Sequence, residues 1–334
     1  MIRRALAEDN DALCELLLRC PQSGGSASLA TDRSPDYYRR SSPYRESWVL
    51  AVDGSGASVD ATVTVAMKHV LVAGRRSVAG YVFDLAVRPE ARGCGLAGRL
   101  LRQADELASS AGADFLYAHV MSGNEASLST FARAGYEQHA GVVASIFAAD
   151  PEPELEPEVM PSGAQHDWEE AAELVVGAES GFDLGKGLDA ESLRDQWTRL
   201  PGWNPDDVWQ EGGALLGLWD YSAVARYVPI DAADAAAADA AGAEASAAGL
   251  RAGLLLGGVG EEAVLSRLFA QALARAAARG MHAVFMGYDD RAEPAWFGDR
   301  AAVAEPYRLL AKVLRTGRAE RLGERPVRVD PIDL

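Results

Sequence analysis

Apolar residues follow two different rhythms along this chain, and the change between them is sharpest at residues 82–111. Val82, Phe83, Leu85, Ala86 and Val87 form a nearly continuous apolar run, the pattern of a mostly buried strand. Pro89 ends it by removing a backbone donor and fixing φ. After a turn that holds Gly93, Gly95 and Gly98 the spacing switches, and Leu96, Leu100, Leu101, Ala104, Leu107 and Ala108 recur every three to four residues. That pattern predicts a helix over Gly95–Ala111 that docks one face and is closed by Gly112. Residues 115–136 repeat the scheme with a strand at Phe115–Val120, a polar turn and a shorter helix ending at Gly135.

The same succession returns further along. Helix His166–Ala178, strands Ala214–Asp220, Ala223–Ile230 and Leu250–Gly257, helix Glu261–Arg279, strand Ala283–Gly287 and helix Ala301–Arg315 follow the order of the elements before residue 136, which predicts an internal structural repeat. Between the two parts, prolines and acids alternate over Asp150–Pro161. The expected division is therefore a domain at 1–149, a linker at 150–161 and a second domain at 162–334. Alanine-rich Ala232–Ala248 has no large apolar residue to dock a helix, so residues 231–249 are expected to form a surface loop. Trp197, Trp203, Trp209, Trp219, Tyr221 and Tyr227 crowd this half and serve either domain packing or a substrate pocket.

Composition narrows the function classes. A chain of 334 residues accommodates two domains of ordinary size, each with its own core. With 32 lysines and arginines against 49 acids, the formal charge of −17 argues against a nucleic-acid partner, while an acidic surface tolerates or weakly steers a cationic amine. Cys14, Cys20 and Cys94 form no even framework and no metal-ligand spacing, so no metal is expected and a reduced, cytoplasmic setting follows. The opening MIRRALAEDND has no apolar core segment and no long apolar run occurs elsewhere, so neither a signal peptide nor a membrane span is expected.

The chemistry concentrates at the turn before residue 96. A glycine-rich turn feeding a helix leaves backbone N–H groups pointing at a phosphate, and the positive end of the helix dipole favours it. By count, Gly93, Gly95 and Gly98 also complete a G-x-G-x-x-G string. No acid closes a following strand about 20 residues on, which sets a dinucleotide site aside. In the second half Gly257-Gly258-Val259-Gly260-Glu261-Glu262 keeps glycines but places two carboxylates at the helix mouth, where they satisfy the dipole and would repel a diphosphate.

Two motifs stand out in the first half. Val87, Pro89, Arg92, Gly93, Gly95 and Ala97 spell V-x-P-x-x-R-G-x-G-x-A, and Asn124, Ser127, Phe131, Gly135 and Tyr136 spell N-x-x-S-x-x-x-F-x-x-x-G-Y. At this separation they resemble the GCN5-related N-acetyltransferase (GNAT) superfamily over roughly residues 1–148. That stretch then includes an opening strand at Ile2–Ala5, a helix at Asn10–Arg19, and strands around Trp48–Val52, Ala61–Val72 and Val78–Val87. The resemblance implies an α/β, more closely α+β, fold. It consists of two tandem GNAT-like domains, each a mixed, mostly antiparallel twisted sheet with a central splayed parallel strand pair flanked by helices. The first is competent and the second degenerate, contributing stability, dimerisation or acceptor binding.

The resemblance further implies acetyl-CoA, or another short acyl-CoA, as co-substrate and direct transfer to an amine of a small molecule or peptide. The pantetheine arm would lie between Val82–Val87 and Phe115–Val120, with the diphosphate on backbone N–H groups of Arg92, Gly93, Cys94, Gly95, Leu96 and Ala97. A backbone donor in Leu85, Ala86 or Val87 would polarise the thioester carbonyl, and Asn124, Ser127 and Phe131 fall where the family touches the cofactor arm. His119 takes the position of a glutamate base in related members and is either that base or a structural strand histidine; Asp84 is the second candidate, or holds a loop. Phe131 replaces the tyrosine that usually protonates the leaving thiolate, leaving Tyr117 and Tyr136 as nearby phenols. That gap and the decayed second half keep open a non-catalytic acyl-CoA-binding or sensor protein. Pro21–Arg45 and the second domain, the expected acceptor elements, carry no signature, and a homodimer is compatible with the pattern.

Overall fold

The computed structural model describes residues 1–22, 28–149, 166–230, 249–298, 300–315 and 321–333. The expected linker at 150–161 and all but Gly249 of the expected loop 231–249 lie outside the described residues. In the first half, β1 (Ile2–Arg4), α1 (Asn10–Leu18), β2 (Leu29–Asp32), β3 (Ser47–Asp53), β4 (Val59–Val72) and β5 (Arg75–Val87) lead to α2 (Leu96–Ser110), β6 (Phe115–Met121), α3 (Glu125–Arg133) and β7 (Glu137–Ala148). The second half contains α4 (Trp168–Glu179), α5 (Ala190–Thr198), β8 (Val208–Glu211), β9 (Ala214–Asp220), β10 (Arg226–Pro229) and β11 (Ala252–Val259). It continues through α6 (Glu262–Ala278), β12 (Ala283–Asp289) and β13 (Val303–Val313).

The two expected sheets are fused. One 11-stranded sheet runs β1-β3-β4-β5-β6-β13-β7-β12-β11-β9-β8, antiparallel except where β5 meets β6 and β11 meets β12. Each parallel pair is the splayed centre of one half. At the seam the halves exchange strands: β13 of the second half pairs with β6, while β7 of the first pairs with β12. β13 and β7 then pair with each other, so the sheet is not divided at residue 150.

Residues 301–315 therefore correct an expectation, since they are not a helix. Leu309, Leu310 and Val313 mimic helical spacing, but a proline at 306 inside a helix would remove a hydrogen bond and clash with the preceding turn. In the strand, Pro306 falls just past the end of β6, where its carbonyl accepts from Ser122 N at 2.8 Å and its missing N–H breaks no ladder. Both faces of β13 are covered: Leu309 and Ala311 enter one core and Leu310 another. The strand expected at Ala223–Ile230 is reduced to β10, which pairs with β2 in a separate two-stranded sheet bridging the halves.

Two apolar layers flank the sheet. On one face Leu100, Leu101, Ala104 and Ala108 of α2 pack on Val65, Val82, Leu116 and Ala118, and Leu265, Leu268, Phe269 and Ala272 of α6 pack equivalently on β9, β11 and β12. The other layer is common to both halves, joining Tyr81, Phe115 and Tyr117 to Trp197, Trp219 and Leu254, with Val327, Val329 and Ile332 from segment 321–333. The tryptophan crowd is mostly packing: Trp197, Trp209 and Trp219 are buried, and Trp168 meets Trp197 edge-on at 5.8 Å. No helix among the described residues is long and apolar enough to cross a membrane.

Candidate active site

Strands β5 and β6 pair only at Ala79–Phe115, Gly80–Leu116 and Tyr81–Tyr117, then part. The cause is a β-bulge: Thr62 and Thr64 of β4 face Ala86 and Phe83, so β5 carries an extra residue at Asp84-Leu85, and Asp84 adopts φ 54°. The bend leaves the β6-facing edge of Val82–Val87, including Leu85, Ala86 and Val87, without a strand partner.

Eight residues, Arg88–Gly95, connect β5 to α2. Gly95 adopts φ 72°, and a Cβ there or at Gly93 would meet nothing within 4 Å, so the backbone is open to a close-approaching ligand. Among the described residues the first N–H past Arg92 to find a backbone acceptor is that of Arg99, on Gly95 O at 3.2 Å. The N–H groups of Gly93, Cys94, Gly95, Leu96 and Ala97 thus find no acceptor among the described residues, at a helix start with no acid in its first turn. Arg92 folds back onto Val87 O at 3.2 Å, and Cys94 is exposed. These residues fit a diphosphate by chemistry as well as by shape.

Asn124 caps α3, its Oδ1 accepting from Ser127 N at 3.1 Å. Phe131 is buried and stands edge-on to Tyr136 at 5.0 Å; the Tyr136 hydroxyl is held by Asp105, itself paired with Lys312 at 2.6 Å. The α3 residues therefore form a capped, packed element beside the opening.

His119 and Tyr117 lie on the face of β6 away from α2 and meet edge-on at 5.9 Å, with Tyr81 6.1 Å from His119. Both ring nitrogens of His119 are buried and have no hydrogen-bond partner among the described residues. Burial pushes the imidazole down to about 4, against the pull of the Asp333 carboxylate. The ring is consequently neutral near pH 7 with a free lone pair. Asp84 is held on both oxygens by the Arg33 guanidinium, with Nη2–Oδ1 at 2.8 Å. Tyr117 donates to Asp333 Oδ2 at 2.6 Å, and burial followed by that carboxylate raises the phenol well above its usual range.

Segment 321–333 supplies groups that the sequence did not flag. Asp333 takes bonds from Lys68 Nζ at 2.7 Å, Tyr44 OH at 3.1 Å and Tyr117 OH, and its carbonyl from Tyr81 OH. Asp330 bridges Lys68 at 2.8 Å and Lys186 at 2.9 Å. Desolvation opposes ionisation of Asp330, yet Lys186 and Lys68 hold its carboxyl well below the ordinary value; the two aspartates likewise raise Lys68 against its burial. Pro21–Arg45 contributes the buried Arg33, Tyr37, Arg40 and Tyr44. A signal for these existed: the four recur at intervals of four, three and four residues, and Lys68 breaks the apolar face that Ala66, Val70 and Val72 share on β4.

The second half has the same opening without the turn. β11 and β12 pair at Ala252–Ala283 to Leu254–Phe285 and part beside a bulge at Gly258. Only Gly260 and Glu261 then precede α6, and a Cβ on Gly260 would lie 2.4 Å from that of Ala214. Trp296 packs against the bulge, 3.2 Å from where a Cβ on Gly258 would be, and Arg328 donates to Gly257 O.

Residues 10–136 match the Acetyltransferase (GNAT) family. Over nearly the whole chain the fold is similar to Saccharomyces cerevisiae N-myristoyltransferase with bound myristoyl-CoA, at 9% identity and a TM-score of 0.62 over 93% of this chain and 82% of that one. It is similar too to a GCN5-related N-acetyltransferase from Sphaerobacter thermophilus (15% identity, TM-score 0.55, 95% and 96% covered). A tandem GNAT protein from the clavulanic acid biosynthesis pathway also matches (13% identity, TM-score 0.54, 94% and 98% covered). No curated protein matches the chain. At these identities the likeness establishes a shared α+β, tandem fold.

Proposed function

We propose that this protein is an acyl-CoA-dependent N-acyltransferase, with acetyl as the first acyl group to test and an amine of a small molecule or peptide as acceptor. The observation that carries the reading is the unclaimed N–H groups of Gly93–Ala97 at the mouth of the β5–β6 opening, on the segment that matches the acetyltransferase family. Acyl-CoA, when bound, supplies a thioester carbonyl activated toward an amine. Backbone N–H groups of Gly93–Ala97 hold its diphosphate, whereas the Arg92 N–H is already given to Pro89 O at 3.3 Å, and the free β5 edge at Leu85–Val87 receives the arm and donates to the carbonyl oxygen. Asn124, Ser127 and Phe131 bound the channel from α3.

His119 is the base in this reading: both ring nitrogens are unengaged among the described residues, and the ring sits on the acceptor face of the opening beside Tyr81 and Tyr117. Asp84, gripped by Arg33, acts as an anchor for the bulge and not as a second base. Tyr117 directs its proton to Asp333 and positions that carboxylate beside His119. The second half, lacking the eight-residue turn, serves as a structural partner.

Calorimetric titration of the full chain with acetyl-CoA, followed by thiol release across an amine panel, tests the proposal. One equivalent of acetyl-CoA should bind, and His119→Gln should lower kcat with at least one accepted amine by about 100-fold, the usual weight of a general base. Absence of acetyl-CoA binding would overturn the reading. Tight binding with no turnover for any amine would replace it with an acyl-CoA sensor.

A further inference from the structure

Arg40 is the most unusual charge in the molecule. It lies on the short 3-10 turn Tyr37–Ser41, is 2% exposed, and its guanidinium makes one hydrogen bond, from Nη1 to Tyr44 OH at 3.2 Å. Its Cζ lies 4.8 Å from the centre of the Phe83 ring, and the Tyr221 and Tyr81 phenols and the Asp84 carboxylate act on it from further off. Among the described residues no carboxylate lies within ion-pair distance of it.

Its neighbours do not compensate it. Arg33 is matched by Asp84, while Lys68 and Lys186 are matched by Asp330 and Asp333. Arg40 is thus a buried guanidinium without an ion pair among the described residues, in a protein whose formal charge is −17. Arg33 also keeps a buried Nε with no partner, and the two guanidinium groups repel each other. An uncompensated buried cation is costly in a resting protein and becomes favourable when a ligand brings the counter-charge.

The position connects this charge to the reacting centre. Arg40 stacks on Phe83, Phe83 on Tyr81 at 5.0 Å, and Tyr81 lies 6.1 Å from His119. A two-ring ladder thus separates an unpaired cation from an unpaired base. We propose that the acceptor is an amine that also carries a carboxylate, with the carboxylate taken by Arg40 and the amine presented to His119. A planar guanidinium with donors to spare matches the two oxygens of a carboxylate. The inference rests on the acyltransferase reading for the fate of the amine, but the carboxylate site stands on Arg40 itself.

The probes are ω-amino acids of graded length, from glycine through γ-aminobutyrate and ε-aminocaproate to ω-aminododecanoate, each paired with its methyl ester. Thermal shift of the full chain reads binding without CoA, and KM in thiol release reads it during turnover. At the length that spans the ladder, the acid should bind about tenfold or more tightly than its ester, the weight of one charge-assisted interaction. Arg40→Gln should erase that preference, and Arg40→Lys should restore part of it. Equal binding of acid and ester at every length, or a preference that survives in R40Q, overturns the proposal. The acid–ester comparison on the unaltered protein decides the matter if R40Q does not fold. Loss of acetyl-CoA binding in calorimetry would remove the acyltransferase reading alone, because the thermal-shift preference requires no cofactor.

Discussion

The two halves contain the same opening between two parallel strands and treat it in opposite ways. In the first, eight residues lie between strand and helix, the backbone N–H groups converge on open space, and the helix start carries no acid. In the second, two residues do the same job, Glu262 occupies the first helical turn, and Trp296 and Arg328 occupy the bulge. The splay comes from a bulge in both. Splaying a strand pair is thus a property of the sheet, whereas the proposed anion site depends on the few residues between strand and helix.

The comparison breaks most severely if the halves are parted. Residues 1–149 expressed alone keep β6 but lose β13, and they expose the layer shared with the second half. The fragment should show no cooperative thermal transition by circular dichroism, and a sharp native-like melt would refute the claim that the halves are interdependent.

A smaller change sharpens the contrast at the turn. Ala97→Glu puts into α2 the kind of charge that Glu262 places in α6, at a half-exposed position where helix stability should move by less than about 1 kcal/mol. Acetyl-CoA affinity in calorimetry should fall about tenfold or more, from like-charge repulsion at the diphosphate. Glu262→Gln should leave that affinity unchanged; a similar loss in both variants would place the anion site elsewhere.

The gentlest probe is pH. His119 titrates in the unfolded chain near its usual 6.5 but in the folded chain near 4, so between those values the unfolded state takes up a proton that the folded state refuses. Stability should therefore fall as pH drops through this window, and His119→Gln should flatten that part of the profile in urea titrations. Asp330 acts below it: its carboxyl is held low by Lys186 and Lys68, so its contribution persists above the unfolded carboxylate range and disappears in stronger acid. An unchanged slope between pH 6.5 and 4 in the variant would contradict the burial of the imidazole.

What could be read from the amino acids alone was what is encoded locally. The strand, turn and helix around Gly93–Ala108 follow from apolar spacing and glycine placement, and the two motifs lie within one contiguous stretch. Strand exchange is not local. Residues 303–313 have helix-like spacing, and they are strand because β6 and β7 offer two open edges that only tertiary structure creates. The same holds for the site. His119 and Tyr117 were visible because they flank a motif, whereas Lys68 and Tyr44 meet Asp333 across separations of 265 and 289 residues, and Arg40 joins them only through Tyr44.

The seam between the halves also sets an order of events during synthesis. As the nascent chain leaves the ribosome, β6 emerges with one edge bare and remains so until residue 313 has been made, and the Tyr117–Asp333 contact waits longer still. The pocket carried by the earliest-made residues is thus among the last parts to mature. A chain cut short before that point would carry the turn proposed to hold a diphosphate but lack the Asp333 contacts to Tyr117 and Lys68.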